Sequence, residues 1–219
     1  MRIYIKYLLG AFVAIVFSFA QAGSYEDFFV AIKRDDASTI VALLNRGFDP
    51  NTPSPERLDG LYLALRESNM KAAQTLIDWP KTNVESRTPQ DESPLMMAAL
   101  RGQLDVARKL IARGADVNKP GWAPLHYAAT SGHVPLIDLL LENHAYIDAE
   151  SPNGTTPLMM AAQYGTTESV KFLLEAGADP TIKNQLGLTA VNFAQRANRP
   201  DAIELITARM RTAQPKGRW

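Results

Sequence analysis

The chain has 219 residues, 46% of them hydrophobic and 21% charged, with 23 basic side chains against 23 acidic ones. That balance excludes a disordered polyelectrolyte and a whole-chain nucleic-acid binder, and the length suits one domain around a continuous core. No cysteine is present, which excludes disulfides, thiolate catalysis, Cys-ligated zinc and lipoprotein acylation.

Residues 1–22 are read as a targeting segment rather than as fold. Arg2 and Lys6 form a basic n-region, Tyr7 to Ala20 is an apolar run, and Ala20-Gln21-Ala22 is a small-residue cleavage site, so a secretory signal cut after Ala22 is expected. The alternative is an uncleaved anchor, but the run is short for a spanning helix, which needs about 20 apolar residues. The short n-region and A-x-A site point to a bacterial leader, so the expected location is the periplasm, with no stable membrane insertion after cleavage.

From residue 23 onward the chain repeats itself. Phe28, Leu61, Leu95, Leu125, Leu158 and Val191 stand at intervals of 33, 34, 30, 33 and 33, each followed three residues later by Ala31, Ala64, Ala98, Ala128, Ala161 or Ala194. Each unit predicts two short helices joined by a tight turn, and helices this short gain stability only by stacking on copies of themselves.

The first unit, Tyr25 to about Asn51, carries Glu26, Asp27, Lys33, Arg34, Asp35 and Asp36. Those charges predict the solvated face of an N-terminal cap. Thr52 to Gly60 is a Pro-containing loop. The second unit starts with Asp59-Gly60-Leu61 in place of Thr-Pro-Leu, and Trp79 near its end either contacts a ligand or, the plainer reading, fills space between units. The third starts cleanly at Ser93-Pro94-Leu95 but its exit, Val117 to Trp122, lacks about three residues, so a stunted finger loop with Trp122 at its base is expected before the fourth unit.

The fourth unit holds all three histidines, His126, His133 and His144. Their spacing matches no metal-binding pattern, so structural roles are expected and no metal site is predicted. The fifth unit states the pattern in full. Thr156 caps the first helix, Pro157 takes its first position, Gly165 ends it, and Gly177 supplies a left-handed cap after the second. The sixth, from Leu188, loses the proline and runs through Phe193, Ala194, Ile203 and Leu205 before a polar tail at residues 211–219, so the folded domain is expected over residues 23–210.

The segments Ala123-Pro124-Leu125-His126-Tyr127-Ala128-Ala129 and Thr156-Pro157-Leu158-Met159-Met160-Ala161-Ala162, with loops Gly114-Ala115-Asp116-Val117-Asn118 and Gly177-Ala178-Asp179-Pro180, closely resemble the ankyrin-repeat family. The resemblance covers roughly Tyr25 to Met210. It implies an all-α solenoid of about six helix-turn-helix units with hairpin loops, and a protein-binding function. Ala123 departs from the family's threonine, so His126 lacks the hydroxyl partner that the motif usually supplies.

The family's variable contact positions fall on Glu92, Trp122, Thr155 and Leu188 in the hairpins, and on Leu100, Arg101, Thr130, Ser131, Gln163, Tyr164 and Arg196 in the helices. Trp122, Tyr164 and Arg101 are the residue types that anchor interfaces. A second stripe, Leu63, Met97, Tyr127, Met160 and Phe193, is assigned mainly to packing between units. No nucleophile with a base, carboxylate pair in a pocket or phosphate loop stands out, so neither an enzyme nor a bound cofactor is expected.

The expectation is a monomeric, exported module that binds and supports another protein of unknown identity in the bacterial envelope. The resemblance to periplasmic ankyrin-repeat proteins linked to catalase implies a role in oxidative-stress defence. The alternatives are an inhibitor or immunity protein that blocks a toxic enzyme, and a hydrolase or metal binder using the histidine region.

Overall fold

A computed structural model describes residues 23–213. The leader reading on residues 1–22 and the tail residues Lys216, Arg218 and Trp219 lie outside the described residues.

Twelve helices occupy the described residues, in six consecutive pairs: α1 (residues 23–33) and α2 (Ala37–Asn45), α3 (Gly60–Arg66) and α4 (Met70–Asp78), α5 (Pro94–Arg101) and α6 (Leu104–Ala112), α7 (Pro124–Ser131) and α8 (Val134–Glu142), α9 (Pro157–Tyr164) and α10 (Thr167–Glu175), α11 (Ala190–Arg196) and α12 (Pro200–Ala213). The last helix continues three residues beyond the predicted end of the domain. None of the helices among the described residues is long and apolar enough to cross a membrane. The chain divides into two compact units, the first ending at Asn83 and the second beginning at Val84.

In the first unit, Phe28 is fully buried and its ring packs against Phe48 at 4.6 Å. The irregular Asp59-Gly60 start of α3 has a steric cause. A Cβ on Gly60 would stand 2.7 Å from Ile32 Cδ1 and 2.8 Å from Phe28 Cε1, so only glycine lets α3 begin this close to α1. Asp59 Oδ1 accepts the Tyr62 amide at 2.8 Å and does the capping that threonine does elsewhere.

The expectation that the α1–α2 charges are merely a solvated face is corrected at two of them. Asp35, at φ +54°, accepts the Ala72 amide at 2.8 Å and so satisfies the start of α4. Asp36 caps α2 through the Thr39 amide at 3.1 Å. The Ser38 and Thr39 hydroxyls hold its carboxyl down at about 2.

In the second unit the leading helices α5, α7, α9 and α11 pack side by side in chain order, and the trailing helices α6, α8, α10 and α12 do the same behind them. Ala98, Ala128, Ala161 and Ala194 are all fully buried, which is what lets neighbouring helices approach closely. Met97 and Phe193 of the second stripe are 6% and 8% exposed, so packing dominates there. Tyr127 and Met160 are half-buried.

The starts of α5 and α9 meet their orphan amides with a reciprocal pair of side chains. Ser93 and Thr156 accept the amides of Met96 and Met159, whose sulfurs accept back from the Ser93 and Thr156 amides. Where α5 and α7 end in the left-handed Gly102 and Gly132, α9 ends in an extended Gly165, and the Arg199 guanidinium donates to the Ala161 and Gly165 carbonyls at 3.0 and 2.6 Å. Arg199 also pairs with Asp201 at 2.9 Å, and Thr167 bonds the same carboxylate.

The finger loops repeat a two-bond closure. In each of Ser54–Leu58, Thr88–Glu92, Ser151–Thr155 and Asn184–Leu188, the first amide donates to the fifth carbonyl and the fourth amide to the first carbonyl. Among the described residues, the segment Val117–Ala123 lacks this closure, and the stunted finger expected from the 30-residue interval is present. The buried Lys119 lies there, its ammonium bonded to the Pro120 carbonyl at 3.0 Å and paired with Asp91 of the preceding finger.

Candidate protein-binding face

The candidate contact residues sit where successive leading helices end and successive fingers begin. Arg101 closes α5 and is exposed, Tyr164 closes α9 and is 59% exposed, and Arg196 closes α11 and is exposed. Leu100, Gln163 and Leu188 are half-buried beside them. Because α5, α7, α9 and α11 lie side by side, these ends form one row within the second unit.

Thr130 and Ser131 are half-buried and their hydroxyls are committed. Thr130 donates to the His126 carbonyl at 2.7 Å, and Ser131 donates to the Leu100 carbonyl at 2.8 Å, tying α7 to α5. Glu92 is half-buried and accepts the Tyr127 phenol at 3.1 Å, with burial and the neighbouring carboxylate raising the phenol above its ordinary range.

Thr155 is the correction in this set. It is only 2% exposed, its amide donates to Ser151 Oγ at 3.0 Å, and its carbonyl accepts from His126, so it builds the finger and offers no contact surface. Its hairpin position suggested exposure, but Ser151 and the His126 ring bind its backbone from within the finger and from the preceding repeat.

Trp122 stands half-buried at the base of the short finger, its ring edge-on to His126 at a centroid distance of 5.2 Å. His126 itself is fully buried. Its amide, without a hydroxyl to meet it, donates to the Ala123 carbonyl at 3.0 Å, while its Nδ1 accepts the Ala123 amide at 3.1 Å, as the Met96 and Met159 sulfurs do in their repeats, and its Nε2 donates to Thr155 O at 2.9 Å. This pairing fixes the neutral Nε2–H tautomer, and burial lowers the imidazole's proton affinity.

The three histidines do not converge. His133 is the residue before α8 and its ring fills the space where a Cβ on Gly102 would clash at 2.7 Å. His144 holds a left-handed φ of +66° where Gly47, Gly114 and Gly177 stand in other repeats. No group of three or more His, Asp or Glu side chains suited to a metal occurs among the described residues.

Among the described residues, the two most exposed large apolar residues lie outside the contact pattern: Leu186, 75% exposed on the tip of the last finger, and Tyr146, 68% exposed after α8. Leu186 had a signal in the sequence, since Gln185-Leu186-Gly187 occupies a finger tip and an apolar residue at a tip has no core to enter.

A family model described as ankyrin repeats (3 copies) matches residues 28–120 and 117–184. The chain is 38% identical over 123 residues to the ankyrin repeat and SAM domain-containing protein 6 of Mus musculus, which is 56% of this chain and 14% of that protein. It thus spans a small part of that relative's length. Among solved structures, the human ASB11 ankyrin repeat domain has a TM-score of 0.75 at 27% identity, over 87% of this chain and 86% of that one. A chain from the complex of a Bdellovibrio bacteriovorus predatory endopeptidase with an immunity protein has a TM-score of 0.71 at 26% identity, over 83% of this chain and 97% of that one. With the repeat period, the stacked helix pairs and these likenesses together, the chain belongs to the ankyrin-repeat family and is a protein–protein interaction module of that fold.

Proposed function

We propose that the second unit binds a folded partner protein through Trp122, Tyr164, Arg101 and Arg196, and that it does so in the bacterial envelope, sustaining the partner's activity. The observation that carries the binding surface is the row of leading-helix ends, where the exposed side chains are of the aromatic and arginine types that dominate interface energetics. The envelope location rests on the leader pattern of residues 1–22, and the supporting role in oxidative-stress defence rests on the resemblance stated above. The module acts as a monomer and by binding alone, without catalysis.

A second reading, an inhibitor or immunity protein that blocks a toxic enzyme, is favoured by the likeness to a chain of the endopeptidase–immunity protein complex. One experiment separates the two. The partner is captured from an envelope fraction with the tagged mature chain, purified, and assayed with the chain added at stoichiometric concentration. A supporting module preserves or raises turnover and an inhibitor abolishes it. A partner retained equally by the Trp122→Ala, Tyr164→Ala double variant contradicts both.

A further inference from the structure

The first unit holds a cavity of about 430 Å³ lined by Phe29, Ile32, Lys33, Leu63, Arg66 and Glu67. Its floor is apolar and rigid. Ile32 and Leu63 are 1% and 8% exposed, and the Phe29 ring is held edge-on by Tyr25 at 5.0 Å and by Phe28 at 5.3 Å. Tyr25 is in turn fixed by its hydroxyl, which donates to the Pro53 carbonyl at 3.1 Å.

Its rim is basic. Lys33 is exposed and makes no hydrogen bond or ion pair among the described residues. Arg66 uses only its Nε, donating to Glu67 at 3.1 Å, so its two terminal nitrogens stay available. Both cations act on the Glu56 carboxyl at the finger tip, helping its hydrogen bonds to hold it below the usual carboxylate range, which shows that their field reaches beyond the cavity. Basic residues at the ends of α1 and α3 are favoured by the helix dipoles. A dipole does not account for a preformed apolar floor beneath them.

We infer that this cavity is a recognition pocket for an acidic side chain of a partner protein, carried next to an apolar residue that fills the floor. Charge complementarity selects the carboxylate: Lys33 and the terminal nitrogens of Arg66 provide donors, the lining Glu67 being held by Arg66 Nε, beside a floor that an aliphatic or aromatic neighbour would cover. The inference rests on the protein-binding reading but uses a different unit of the chain from Trp122 and Tyr164, so each fails on its own evidence.

The test uses the mature chain with defined probes, acetyl-Leu-Glu-amide against acetyl-Leu-Gln-amide and acetyl-Leu-Lys-amide, followed by methyl NMR of Ile32 and Leu63. The Glu probe is expected to shift these signals saturably and to bind at least 10-fold tighter than the other two. Lys33→Ala is expected to reduce that preference at least 5-fold with a nearly unchanged melting temperature, since Lys33 is exposed and makes no hydrogen bond or ion pair among the described residues. The Trp122→Ala, Tyr164→Ala variant is expected to bind the Glu probe normally. Equal shifts from all three probes, no shift, or loss of probe binding in that double variant would overturn the pocket. So would self-association that Lys33→Glu abolishes without any probe response, because the occupant would then be a second copy of this chain.

Discussion

The Nε2–H of His126 donates to the carbonyl oxygen of Thr155 at 2.9 Å, joining α7 to the finger of the next repeat. The same ring accepts the Ala123 amide, so one buried side chain serves as both helix cap and inter-repeat clamp. Met96 and Met159 hold the equivalent position in the flanking repeats and supply only the cap. His126→Ala should therefore cost about 3 kcal/mol, because it leaves the buried Ala123 amide unpaired, removes one of the two bonds to the Thr155 carbonyl and opens a void. His126→Met, which keeps a cap, should cost about half of that, read from urea melts.

The same residue sets a pH dependence. Burial lowers the folded-state proton affinity of His126 below that of the unfolded chain, so its contribution is fully present above about pH 6.5 and is lost as pH falls. Stability should drop by about 1.4 kcal/mol per pH unit once pH lies well below that value and above the folded pKa. In His126→Met this component should vanish from a pH series of melts.

Asp148 Oδ1 accepts the Asp179 amide at 3.0 Å, and burial with the Asp179 charge raises its carboxyl above the ordinary value. The matching residues Asn51 and Asn118 make the same bond and also donate to a loop carbonyl, Lys81 O at 2.9 Å and His144 O at 2.7 Å. Asp148→Asn should keep the acceptor, gain the donor toward Gly177 and stabilise by about 1 kcal/mol at neutral pH. A raised carboxyl destabilises only where it is ionised in the unfolded chain, so the charge-relief part of the gain should disappear below about pH 4.

His144 occupies a left-handed conformation that glycine takes in three other repeats. His144→Gly should raise stability by about 1 kcal/mol, since the Cβ strain is removed and the Asn118 bond is to the backbone. Calorimetric melting of the two chains checks this.

The repeat architecture was legible because the 33-residue period and the buried alanines impose it at every turn. The short finger was legible as a missing count of residues. What could not be read was which way individual side chains face inside a finger. Thr155 occupies a contact position and is buried, while Leu186 lies off the pattern and is exposed. Gly60 looked like decay of a motif until the distance to Ile32 and Phe28 gave it a cause. Asp35 is not legible as a cap because its partner, the Ala72 amide, belongs to the next repeat, whereas Asp36 stands in the ordinary N-cap position before α2 and could have been read as one. Lys119 was missed for a similar reason, since its burial follows from the short finger lying against Asp91.

The most direct test of the binding face is the affinity of the captured envelope partner for wild type and for Trp122→Ala, Tyr164→Ala, measured by titration calorimetry alongside thermal melts. The account predicts about a 30-fold or greater loss of affinity, the sum expected when two anchor side chains each contribute more than about 1 kcal/mol, with melting lowered only slightly. Unchanged affinity in a folded double variant would contradict it, and a variant that fails to fold would return Trp122 to the core.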